Sequence, residues 1–266
     1  MPLLPWIAAL VLLAAVIAMR LATLRTYRAL ERLRPDMRAR YGRFISPAGE
    51  HRTAIAFGDH LCAIPELLDC EPFERLRTAA ERIAGAQRSY IPGHKAGATV
   101  SYAELHRLAP ELVAFYLSDE VARICSRLFA VAVQPTPLHD QSSCSLLVYE
   151  RPGDHIGWHY DHDFYRGRHF TVLLPLINQR SGAPGTSSAQ LEAQIAGSCR
   201  FVPTPPNTLV LFEGARVRHR VTPLGVGEQR ILLSMTFCTD PRSHLLAGMM
   251  RRMKDTAYYG LRALWS

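Results

Sequence analysis

Arg230-Ile231-Leu232-Leu233-Ser234-Met235-Thr236-Phe237 reads as a β-strand whose two faces differ in chemistry. Successive strand side chains point to opposite faces, so Ile231, Leu233, Met235 and Phe237 form one apolar set. Arg230, Ser234 and Thr236 share the other face. The same period of two recurs upstream in Arg216-Val217-Arg218-His219-Arg220-Val221: the arginines take one side, and Val217, His219 and Val221 take the other. Further out, short apolar runs at 144–150, 170–177, 191–202 and 208–212 alternate with Gly, Pro and Asn punctuation. The Ser- and Gly-rich segment 178–188 reads as a loop. Five or six closely spaced strands predict a β sandwich or barrel over residues 140–240.

Before this β core the texture is helical. Pro72-Phe73-Glu74-Arg75-Leu76 opens one helical segment, and Ser101-Tyr102-Ala103-Glu104 has the form of a capped start. Pro92, Gly93 and Gly97 mark a loop between them. Residues 64–130 are therefore expected to be a helical layer, and residues 243–264, basic and periodic, a closing helix. The fold class is α+β.

The N-terminus differs from all of this. Residues 3–19 carry no charged side chain, and the apolar pattern continues through Leu21, Ala22 and Leu24. A helix of this length spans about 26–33 Å, close to the bilayer core of about 30 Å. Pro5 falls in its first turn, where it is tolerated. A cleaved signal peptide would want a basic start and a small-x-small site, and neither is clear. Residues 1–24 are thus expected to be a single transmembrane anchor. Between Arg20 and Arg43 eight arginines face only Glu31 and Asp36, so most of the formal net charge of +8 is local. Residues 25–43 read as an arginine-rich juxtamembrane stalk lying on anionic headgroups, which places the body, 44–266, on the cytoplasmic side. That body holds a net charge of only +2, which argues against nucleic acid as a partner, since a phosphate-binding surface wants basic charge around the site. The six cysteines show no C-x-x-C spacing, which excludes a zinc finger and gives no support for a disulfide framework.

The chemistry concentrates in the β core. In His159-Tyr160-Asp161 the histidine and the aspartate share a strand face while Tyr160 turns outward, and His219 stands on the apolar side of its own strand. Two imidazoles and one carboxylate on one face of a metal leave three positions open, as in non-haem Fe(II) oxygenases. His155 and Asp163 share the parity of the pair, either as groups that orient it or as solvated loop residues. An interior Arg230 needs an anionic partner, because an unpaired buried charge is costly. A bidentate carboxylate fits its fork, and an internal salt bridge is the other reading. The face bearing Arg216, Arg218 and Arg220 reads as solvated.

With these residues in place, the chain resembles the Fe(II)/2-oxoglutarate-dependent dioxygenase superfamily, nearest its prolyl 4-hydroxylase-like branch. The resemblance covers roughly residues 140–240 and rests on Tyr149, His159-x-Asp161, the strand Asn207-Thr208-Leu209-Val210-Leu211-Phe212, His219, Arg230, Ser234 and Phe237. It implies a double-stranded β-helix, or jelly roll, flanked by helices. It also implies Fe(II) held by His159, Asp161 and His219, with 2-oxoglutarate and O2 as co-reactants. Arg230 would take the distal carboxylate of 2-oxoglutarate, with Tyr149 and Ser234 in the same pocket. Many relatives read Arg-x-Ser where Leu232 stands here, with Ser234 two positions later. Halogenating relatives have Gly or Ala in place of Asp161, so hydroxylation, with release of succinate and CO2, is the implied reaction. The expected protein is a membrane-anchored dioxygenase acting on a small-molecule, lipid or peptide substrate. A prolyl hydroxylase of peptides and a catalytically silent scaffold or sensor are the alternatives. The sequence assigns no oligomeric state.

Overall fold

The computed structural model describes residues 39–83, 88–91, 95–138, 140–182 and 184–242 continuously, with isolated positions in the first 38 residues and at residue 250. The helices are α1 (Pro47–Glu50), α2 (Cys70–Glu81), α3 (Tyr102–Leu108), α4 (Pro110–Tyr116) and α5 (Asp119–Leu128). The strands begin with β1 (Ile55–Ala56), β2 (Leu61–Ile64), β3 (Arg88–Ile91), β4 (Lys95–Val100) and β5 (Gln134–Pro135). They continue with β6 (Cys144–Tyr149), β7 (His155–His159), β8 (His169–Gln179), β9 (Leu191–Ile195) and β10 (Ser198–Val202). The last three are β11 (Leu209–Phe212), β12 (His219–Val221) and β13 (Gln229–Cys238).

All strand pairings are antiparallel, in the order β1-β2-β11-β8-β13-β6-β4-β7-β12-β9-β10. The sheet curls back on itself. One run, β2-β11-β8-β13-β6, is backed by the helices; the other, β7-β12-β9-β10, faces it. β4 forms the seam, pairing with β6 through Ala98–Val100 and with β7 through Lys95 and Ala96. Burial follows from the period of two. Ile231, Leu233, Met235 and Phe237 of β13 belong to the same core cluster as Leu112, Phe115 and Tyr116 of the helices, with the Phe237 ring edge-on to Tyr116. Leu232 faces the interior of the curl with Leu173, Leu191, Phe212 and Val221. Both faces of β13 are thus removed from water, and Arg230 is carried into the inner one.

Several expectations shift. The stretch 64–130 holds α2–α5, but β3 and β4 interrupt it where a loop was expected. The hairpin was hidden because Ala96, Gly97 and Ala98 carry little β signal. Gly97 is small for a reason: a Cβ there would stand 3.3 Å from the Val148 carbonyl and 3.6 Å from the Tyr149 ring. The sheet also begins earlier than residue 140, at β1 and β2. The run 191–202 is a hairpin, turned at Ala196 and Gly197 with φ of +48° and +78°, the positive values that a two-residue hairpin loop needs. Of the stalk, Met37 is 7% exposed and already belongs to the helix-side core. Arg43 pairs with Glu50 and Glu120. Most of the anchor and stalk at 1–43, and nearly all of the closing helix at 243–264, lie outside the described residues. Among the described residues no helix is long and apolar enough to cross a membrane, and the described apolar positions Trp6, Ile7, Leu10, Val11, Leu13, Ile17 and Leu21 are all exposed.

Candidate metal centre

β7 ends at His159, β12 begins at His219, and the antiparallel register sets the two directly opposite each other. Their rings lie 4.2 Å apart, centroid to centroid. Asp161 follows two residues after His159. One ligand atom from each of the three lies within 4.8 Å of the others. His159 Nε2 is 3.5 Å and His219 Nε2 3.7 Å from Asp161 Oδ1. Each imidazole is aimed by its other nitrogen: Nδ1–H of His159 donates to the Gly157 carbonyl at 2.8 Å, and that of His219 to the Val217 carbonyl at 2.9 Å. This fixes the tautomer and leaves both Nε2 lone pairs facing the carboxylate. Asp161 Oδ2 accepts from the Thr171 hydroxyl at 2.5 Å, so Oδ1 is the oxygen turned to the histidines. Tyr160, between them, is 52% exposed.

Electrostatics support a charged carboxylate here. Burial opposes ionisation of Asp161, but the charge of His219, the hydrogen bond and charge of His159 and the Thr171 hydroxyl outweigh it. The acid is held well below the usual carboxylate range. Burial pushes His219 down. It acts on His159 the same way, yet the hydrogen bond and charge of Asp161 carry that group upward.

The triad opens into a cavity of about 150 Å³. Arg230, 0% exposed, stands in its wall on the strand pair that sets it opposite Tyr149 and Asn178. Among the described residues its side chain makes one hydrogen bond, a long one, Nη2 to Thr204 Oγ1 at 3.5 Å; Nε and Nη1 are buried and find no partner among them. The Tyr149 ring lies 5.6 Å from the guanidinium carbon. Burial pushes the guanidinium pKa down, with Tyr149 opposing. Such orphaned, charged donors are rare in folded proteins and call for an anionic partner. A dicarboxylate with one end at the triad and the other at Arg230 fits this donor set.

Tyr149 and Ser234 both line the cavity, as does Leu232. His155 does not join the triad: its Nδ1–H is spent on the Gly153 carbonyl at 2.8 Å. Asp163 instead caps the backbone of Tyr165 at 3.0 Å. The arginine face is more ordered than expected. Arg218 and Arg220 stack on Trp158 at 5.6 and 4.8 Å, and Arg220 pairs with Glu192 at 2.7 Å. Sequence reasoning missed Lys95. It is 3% exposed on β4, donates to Thr99 at 2.7 Å and adds a second cation to the cavity wall. It also missed Gly214, where a Cβ would stand 2.2 Å from Asp161 Oδ2. A glycine two residues past the end of a strand was the available signal.

No family model matches the chain, and no curated protein matches it. Solved structures do. AviO1 from Streptomyces viridochromogenes Tue57 is 17% identical over 76% of this chain and 98% of its own, with a TM-score of 0.54. A prolyl hydroxylase from Trichoplax adhaerens, solved with a hypoxia inducible factor peptide fragment, is 16% identical over 68% and 84%, also at 0.54. The epimerase SnoN, solved with Fe3+, alpha ketoglutarate and nogalamycin RO, is 15% identical over 79% and 84%, again at 0.54. The curled sheet is therefore the jelly-roll fold shared with iron- and 2-oxoglutarate-dependent oxygenases.

Proposed function

We propose that this chain is a membrane-anchored Fe(II)- and 2-oxoglutarate-dependent dioxygenase that hydroxylates a substrate at or near the membrane. The observation that carries the reading is Arg230: a fully buried guanidinium with two orphaned donors, in one cavity with a His-Asp-His triad. In this reading His159, Asp161 and His219 hold Fe(II), which supplies O2 activation coupled to decarboxylation of 2-oxoglutarate to succinate and CO2. Arg230 binds the distal carboxylate as a fork, and Lys95 adds positive charge to the same wall. Tyr149 backs the guanidinium. Leu147, Ile156, Leu173, Leu191, Val221 and Leu232 line the rest and exclude water. Asp161, held ionised by His219, His159 and Thr171, fills a coordination position with a carboxylate, which favours hydroxylation over halogenation.

The uncharged run and arginine cluster of residues 1–43 support the anchor and a cytoplasmic catalytic domain. A prolyl hydroxylase of peptides is the second reading, favoured by the likeness to an enzyme solved with a peptide. The test is 2-oxoglutarate turnover to succinate, titrated with cosubstrate, in wild type, Arg230→Ala and Arg230→Lys. Removing one partner of a buried charge pair costs about 2–5 kcal/mol, so alanine should weaken the cosubstrate roughly 30- to several-thousand-fold. Lysine keeps the charge but loses the fork, and should rescue only part. An apparent affinity within about twofold of wild type in Arg230→Ala, under about 0.5 kcal/mol, sinks the assignment. Comparing lipids and metabolites of membranes bearing wild type or Asp161→Ala, for species differing by one oxygen, identifies the substrate.

A further inference from the structure

Between β11 and β12 the chain makes a short turn, residues 213–217, whose backbone reaches two of the three candidate ligands. The Gly214 carbonyl accepts the Asp161 N–H at 3.0 Å, and the Val217 carbonyl accepts Nδ1–H of His219 at 2.9 Å. Gly214 also gives up its side-chain space to the Asp161 carboxylate. The turn is closed by one residue. The Glu213 carbonyl accepts from the N–H groups of Arg216 and Val217 at 2.8 and 3.0 Å. The Glu213 carboxylate is only 3% exposed and sits among two arginines and a histidine. Arg168 grips it twice, at 2.7 Å from Nη2 and 3.2 Å from Nε. His60 Nδ1 lies 2.9 Å away and Arg216 Nε 3.3 Å. His60 immediately precedes β2 and Arg168 immediately precedes β8, the two strands that flank β11 in the sheet. The Glu213 N–H completes the tie by donating to the His60 carbonyl at 3.0 Å.

We infer that Glu213 is a positioning residue for the metal centre: pinned between Arg168 and His60, it fixes the turn from which Asp161 and His219 are aimed. It touches neither the metal nor the substrate. Its effect runs through two backbone carbonyls and one missing Cβ. A free carboxylate at this place would leave the turn to solvent competition, and both ligands would lose the hydrogen bonds that set their direction. Groups that orient metal ligands in this indirect way typically contribute about 10–100-fold in metal affinity.

The inference rests on the metal-centre reading and is tested with Co(II) as the probe, on the full chain in detergent. Wild type, Glu213→Gln and Arg168→Lys are titrated with Co(II) by calorimetry, and the visible ligand-field spectrum of each complex is recorded. Each is measured below the onset of its own thermal unfolding. Gln keeps the shape of Glu213 but drops the charge, and should weaken Co(II) about 10–100-fold with an altered spectrum. Lysine at 168 keeps charge and folding but loses the two-pronged grip, and should shift affinity and spectrum in the same direction by less. A cluster that only holds the fold together would lower the unfolding temperature and leave affinity and spectrum at wild-type values; that result overturns the inference. Wild type that binds no Co(II) would instead overturn the metal-centre reading and this inference with it.

Discussion

Arg230 is costly to the protein that carries it. Its Nε and Nη1 are buried without partners among the described residues, and a buried charge left uncompensated destabilises. Arg230→Met fills similar space without the charge. In the absence of cosubstrate it should raise the unfolding free energy by about 1–3 kcal/mol, in the range seen when buried charges become apolar, while 2-oxoglutarate binding is lost. Chemical denaturation of both forms without cosubstrate decides this; a less stable methionine form would mean that the guanidinium has a protein partner after all. The residue was legible in the sequence because it broke an alternating strand with a charge on a face shared with hydroxyls. The triad was legible for a similar reason, since His159 and Asp161 share a parity and His219 sits among valines. Glu213 and Gly214 were not. Their role depends on a turn that approaches Asp161 through space, and no period in the chain encodes that approach.

At the scale of elements, β4 shows where reading by pattern stops. Its Ala96-Gly97-Ala98 centre looks like a loop, yet it forms the seam between the two runs of the sheet, and a Cβ at Gly97 would crowd the Val148 carbonyl. Lys95 enters the cavity on this strand. It stands in the wall of the cavity that, in the proposed function, takes a dianion, so Lys95→Met should weaken 2-oxoglutarate by about tenfold, equivalent to about 1.4 kcal/mol. Metal binding should survive. The same succinate titration measures it, and an unchanged apparent affinity would exclude Lys95 from cosubstrate binding. β12 is the opposite case. Three residues long, it was readable because arginine, histidine and valine alternate without exception, and its pairing with β7 is what brings His219 to His159.

Over the whole molecule, charge and hydropathy are segregated. The uncharged N-terminal run and the arginines behind it precede a body of net charge +2, and Met37, Tyr41 and Phe44 pack into the helical side of that body. The junction is therefore joined to the domain rather than strung from it. The full chain should stay in membranes through an alkaline carbonate wash, and protease should reach the domain only from the cytoplasmic side. Release of the chain by the wash, or cleavage from the opposite face, would contradict the anchor or its orientation. The helical stretch before the β core and the sandwich or barrel over residues 140–240 were legible from the pattern, whereas the strand order was not, because it depends on pairings such as β2 with β11 that lie far apart in sequence.

The central claim is that His159, Asp161 and His219 form an iron site. The most direct measurement is equilibrium binding of Fe(II), under anaerobic conditions, to the full chain in detergent and to its His159→Ala form, with both shown to be folded by circular dichroism. Wild type should bind about one Fe(II) per chain, and loss of one of three protein ligands should abolish that binding. Near-stoichiometric iron retained by the folded His159→Ala protein would contradict the assignment.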